Sequence, residues 1–155
     1  MSCEPIVLYC KSFHKDLDRV CNLVSSINKY NTDDIPFYLS VPSSDLAAFK
    51  SRGLENTILL ADEEIHKVDS FKRGWIQQQI VKSSFWKLGL CHNYLCIDSD
   101  SYFIKPFSAS DFLYTDTIPY TVIHEQKELF TWSVNKSSLL GFNPKDSYKK
   151  DRQII

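Results

Sequence analysis

Residues 93–107 read NYLCIDSDSYFIKPF. The run from Tyr94 to Ile97 is short and apolar, as expected of a buried strand, and it stops at two aspartates, Asp98 and Asp100, on either side of Ser99. Working outward, Ile76, Ile80, Val81, Phe85 and Leu88 recur at helical spacing and predict a helix over residues 73–90 with one apolar face. Before it, TILL at 57–60 predicts a third strand and PFYLSV at 36–41 a second. Between those two, the serines after Pro42 cap a helix over 45–52 that Gly53 ends. Leu17, Val20, Cys21, Val24 and Ile27 mark an earlier amphipathic helix, and residues 6–9 the first strand, which runs out at Lys11 and Ser12. Four strands alternating with three helices predict an α/β fold, a mostly parallel sheet with helices on both faces, because parallel neighbours need crossovers. Residues 121–124 are a candidate fifth strand, and 133–140 read as either strand or helix. With no repeat and no linker, the 155 residues read as a single domain, 1–155.

Composition narrows the function classes. Lys and Arg number 18 against 19 Asp and Glu, for a net charge of -1, which offers no field to attract nucleic acid. No apolar run reaches the roughly 20 residues of a membrane span, and the opening MSCEPIVLYC lacks the pattern of a secretory signal, so a cytoplasmic protein is expected. Five cysteines without a Cys-x-x-Cys pair predict unpaired thiols in a reducing compartment. With only four glycines there is neither a G-x-G-x-x-G nor a phosphate loop. His124 and Glu125 do not extend into H-E-x-x-H, and no G-x-S-x-G elbow occurs.

In an open α/β sheet, ligands bind outside the carboxyl ends of the strands. The residues there are Lys11, Ser12 and Phe13, then 43–45, then 62–64, then 98–100. On extended backbone the two-residue spacing points Asp98 and Asp100 to one side, and two hard oxygen ligands suit Mg²⁺ or Mn²⁺ completed by phosphates and water. A second such pair, Asp16 and Asp18, opens a helix, where the dipole accounts for it. Asp62 is a candidate for a nucleobase or ribose contact. Trp75, Gln79, Lys82 and Trp86 share a second face of the 73–90 helix. Either that face is a solvated edge, or Gln79 and Lys82 reach a sugar or pyrophosphate; the two tryptophans are read as core. His124 and Glu125 are either a surface turn or an acceptor base or further metal ligand. His14, His66 and His92 are expected in helices or turns and are given no role.

These residues resemble the GT-A fold of nucleotide-sugar glycosyltransferases, whose D-x-D follows the fourth strand of a similar βα series. NYLCIDSDSYFIKPF is similar to their D-x-D segment. GWIQQQIVKSSFWKLGL, LYCKSFHKDLDRVCNLVSSINKYN and DIPFYLSVP resemble the corresponding helix, first strand with helix, and second strand of a bacterial group of glycosyltransferase-like proteins. The resemblance covers residues 6–125 and is strongest over 73–107. It implies a Rossmann-like donor half in which Lys11, Ser12 and Phe13 contact the nucleoside of a nucleotide-sugar donor. It also implies that Asp98 contacts the ribose or a metal-bound water, and that Asp100 holds Mn²⁺ or Mg²⁺ against the two phosphates. The donor site then lies between the ends of the first and fourth strands, and sugar passes to an unidentified acceptor, such as a glycan or lipid-linked glycan.

Two other readings stand beside it. One is a non-catalytic nucleotide-sugar-binding module. The other is a phosphatase of the haloacid-dehalogenase type, which also uses Asp-x-Asp after a strand but places Thr or Val where this chain has Tyr102. GT-A domains carry an acceptor region after the D-x-D, and little chain follows Asp100 here. The sequence therefore reads as a donor-binding half with the acceptor region missing; an exposed apolar edge is expected to bury itself by self-association or else to leave the chain poorly stable alone, with transferase turnover weak or absent.

Overall fold

Glu4–Lys11 forms strand β1, buried from Ile6 onward on both faces, as a central parallel strand must be. In this computed structural model the described residues are 3–67 and 74–120. The chain divides into two compact units, Met1–Tyr120 and Thr121–Ile155, and all that follows concerns the first. The candidate strand at 121–124, the segment 133–140, and His124 with Glu125 lie outside the described residues.

After β1 come helix α1 (Leu17–Tyr30), strand β2 (Phe37–Val41), the short helix α2 (Leu46–Lys50) and strand β3 (Thr57–Ala61). A one-turn helix α3 (Asp62–Ile65) precedes α4 (Gly74–Ser84), which leads to strand β4 (Cys91–Ile97). The strand order is β3-β2-β1-β4, and all three pairings are parallel. The α/β sheet expected from the sequence is thus present. A small antiparallel ribbon, β5 (Leu113–Thr115) with β6 (Ile118–Pro119), follows.

Alternation along β1 divides the core in two. Ile6, Leu8 and Cys10 face α1, meeting Val20, Leu23, Val24 and Ile27. Val7 and Tyr9 face the other way, onto Ile65 of α3 and Val81 and Phe85 at the end of α4. Helices therefore cover both faces. Phe107 docks on the α1 side, stacked on Phe103 at 3.9 Å and tied by backbone bonds to Tyr30 and Thr32.

The helix read over 73–90 is shorter than its pattern suggested. It turns 3-10 over Phe85–Leu88 and ends at Gly89, whose φ of 63° lies in the left-handed region. The two tryptophans assigned to the core are not in it: Trp75 is 71% and Trp86 64% exposed. Trp75 and Trp86 lie to one side of the buried Val81–Phe85 stripe, and a helix packed by one face leaves the rest of its surface to water. His92, expected in a helix or turn, is in β4.

Candidate functional site

Because β1 pairs with β2 on one side and β4 on the other, the chain order reverses at β1, and the crevice beyond the carboxyl ends of β1 and β4 is the switch point of the sheet. Cys10 stands beside Ile97 in the register, so Lys11 and Asp98 follow as neighbours at that edge. The ends of the first and fourth strands meet there, as the sequence reading anticipated.

Lys11 continues the Tyr9 face of β1, and Asp62, the first residue of α3, comes down on the same face. Lys11 Nζ lies 2.9 Å from Asp62 Oδ2 and also donates to the Ser12 carbonyl at 2.7 Å. Both side chains are buried, at 10% and 4% exposure. Burial pushes the Asp62 carboxyl above its ordinary value, and Lys11 offsets only part of that. The Ser12 N–H donates to the Ser40 carbonyl at 2.8 Å, while Ser12 Oγ and Asp62 Oδ1 are sealed from solvent without a hydrogen-bond partner. Asp62, read from sequence as a ligand contact, is thus the counter-charge of Lys11. Phe13 is 37% exposed at the rim, on extended backbone.

Asp98 is engaged by a second lysine. Lys82 Nζ bonds Asp98 Oδ1, and the Lys82 carbonyl accepts from the Tyr94 hydroxyl at 3.1 Å, which fixes that turn of α4 against β4. Burial alone would lower the Lys82 pKa, but the Asp98 carboxylate outweighs it and the ammonium is held above its ordinary value. Lys82 is 13% exposed and Asp98 65%, so the carboxylate opens to solvent and the ammonium lies behind it. Gln79, one turn earlier on α4, is exposed.

Asp98 and Asp100 do not stand on extended backbone. β4 ends at Ile97, and Ser101 N–H closes a turn on the Asp98 carbonyl at 3.0 Å, so strand alternation does not set the directions of the two carboxylates. Asp100 is exposed, and its side chain bonds none of the described residues. Among the described residues no three His, Cys, Asp or Glu side chains gather into a metal cage. A hard cation can take as few as one or two carboxylates from a protein and the rest of its shell from phosphates and water. Asp100 and the outer oxygen of Asp98 would hold it.

The loops beyond β1, β2 and β3 are sewn together by further carboxylates that sequence reasoning did not single out. Asp45, after β2, accepts the His14 backbone N–H at 2.8 Å and faces His14 Nδ1 at 3.3 Å. Glu63, after β3, accepts from the Ser43 N–H at 3.1 Å and hydroxyl at 3.2 Å. Position just beyond a strand was the available signal for both. Which carboxylate meets which loop depends on strand order.

A family model described as a family of unknown function, DUF6492, matches residues 5–154. The chain belongs to this family. The DUF6492 match takes in all four parallel strands apart from Glu4, the first residue of β1, and every residue of the carboxyl edge described above. No curated protein and no solved structure matches the chain.

Proposed function

We propose that this DUF6492 chain is a glycosyltransferase domain that binds a nucleotide-sugar donor at the β1/β4 crevice and transfers the sugar to an acceptor hydroxyl. The observation that carries the reading is the Lys82–Asp98 pair at the switch point of a β3-β2-β1-β4 sheet, with Asp100 two residues further along the same turn. That crevice is where open α/β sheets bind nucleotides. Departure of a nucleoside diphosphate builds negative charge on its terminal phosphate, and groups already oriented toward that charge lower the barrier. Lys82, kept cationic by Asp98, is such a group. Mn²⁺ or Mg²⁺ held by Asp100 and Asp98 would supply Lewis-acid stabilisation of the same phosphate. Phe13 offers a rim surface for the nucleoside, and the buried Lys11–Asp62 pair with Ser12 fixes the floor beneath it. Among the described residues no helix is long and apolar enough to cross a membrane. Five free cysteines support a cytoplasmic setting.

A thermal-shift panel of nucleoside diphosphates with Mn²⁺, with Mg²⁺ and with chelator tests the reading, since a ligand that binds the native state raises its stability. Diphosphate and cation together should raise Tm by more than the sum of their separate effects, and Asp100→Asn should abolish the surplus while leaving the unliganded Tm unchanged. No shift with any diphosphate, or an undiminished surplus in Asp100→Asn, would remove the donor-site assignment.

A further inference from the structure

His14 lies three residues beyond Lys11, at the carboxyl edge of the sheet, and its ring is fixed on two sides. Asp45 Oδ2 faces Nδ1 at 3.3 Å, and the Phe13 ring meets the imidazole edge-on with centroids 5.7 Å apart. Asp45 is itself held: Ser44 Oγ donates to its other oxygen at 3.2 Å, and its side chain is only 12% exposed. An N-terminal cap across two loops would account for the bond to the His14 backbone N–H, but it does not require the ring to lie against the same oxygen. A carboxylate at Nδ1 favours the tautomer that carries its proton on that nitrogen. In that tautomer Nε2 presents the lone pair, and no described residue bonds it; the side chain is 60% exposed. A carboxylate that orients an imidazole whose far nitrogen faces solvent is the base-and-orienter half of a proton-transfer site. Three residues of chain span at most about 11 Å, so the His14 backbone stays within that distance of Lys11 at the carboxyl edge of β1.

We propose that His14, oriented by Asp45, is the catalytic base that accepts the proton of the acceptor hydroxyl, an inference that rests on the sugar-transfer reading above. In the step, the hydroxyl proton passes to His14 Nε2 as the hydroxyl oxygen bonds the anomeric carbon. The bond from that carbon to the phosphate oxygen breaks, and its electron pair leaves on the nucleoside diphosphate. The resulting imidazolium is stabilised by the Asp45 carboxylate and later returns its proton to solvent. Asp45 is a positioning residue in this scheme.

The test uses the full chain with a panel of nucleotide sugars and water or simple sugars as acceptor. Release of nucleoside diphosphate should fall about 10²- to 10⁴-fold in His14→Gln, the range for loss of a general base, while the Tm shift produced by nucleoside diphosphate alone is unchanged. A second measurement does not depend on turnover. Diethyl pyrocarbonate modifies unprotonated imidazole nitrogens, so peptide mapping should show His14 modified in the free protein and protected by saturating nucleotide sugar. Exposed His92, at the start of β4 and the opposite edge of the sheet, should react equally in both. Diphosphate binding with wild-type release in His14→Gln, or His14 modification unaffected by nucleotide sugar, would overturn the assignment alone. If no nucleoside diphosphate shifts Tm, the transfer reading falls and takes this one with it.

Discussion

Lys11 and Asp62 bury opposite charges against each other in a place where neither can be solvated. Removing one partner of such a pair leaves the other buried and uncompensated, a loss of about 3–5 kcal/mol. Asp62→Asn should therefore lower stability by that amount in urea denaturation, and the double replacement Lys11→Met with Asp62→Leu should recover most of it. The pH dependence has a definite sign. Because the folded carboxyl sits above its unfolded value of 3.8, its favourable contribution is complete below that pH and is lost as pH rises through the folded value. The double variant should lack that downward slope. Sequence reasoning put Lys11, Ser12 and Asp62 at strand ends, where they are. It could not tell that Lys11 and Asp62 neutralise each other, because the residues that meet at this edge come from separate βα units. The same holds for His14 and Asp45, 31 positions apart, whose contact requires β1 and β2 to lie side by side.

At the scale of elements, α4 decides how the site is presented. Its inner face is fixed by Phe85, 1% exposed and stacked on Tyr9 with ring centroids 4.0 Å apart. Its end is fixed by Gly89 in left-handed backbone. A Cβ at Gly89 would meet nothing within 4 Å, so Gly89→Ala carries only the backbone penalty of the left-handed region, about 1–2 kcal/mol, readable as a lower urea midpoint at constant m-value. Phe85→Ala should cost about 3–5 kcal/mol, because it removes a large core side chain and leaves a cavity against Tyr9. Since Phe85 follows Lys82 by less than one turn, that variant should also weaken any diphosphate-dependent Tm shift, whereas Gly89→Ala should not. The helical period of 73–90 was legible as one apolar face, and Val81 and Phe85 are indeed buried. The fate of the tryptophan face was not legible: a tryptophan's size makes it a good core residue, and only the packing shows that Trp75 and Trp86 stand outside.

At the scale of the molecule, the sheet order makes a spatially selective prediction. Hydrogen exchange with saturating nucleoside diphosphate and Mn²⁺ should slow at residues 11–14 and 98–101, which flank the β1/β4 crevice, and leave residues 53–57, at the opposite edge beside β3, unchanged. Protection confined to 53–57 would place the ligand elsewhere. The alternation of apolar runs and amphipathic helices, the ends of the strands, and the carboxylates beyond them are local properties of period and punctuation, so the sequence alone determined them. Strand order is not local. The three crossovers could have stacked β4 outside β3, and the same sequence pattern would read no differently. Only the tertiary structure sets β4 against β1, joining Asp98 to the end of the first strand, drawing Lys82 onto Asp98, and leaving Asp100 without a partner among the described residues. Long-range burial decides this: β1, apolar on both faces, is most stable between two neighbours with helices above and below, and the site is a consequence of where that strand lies.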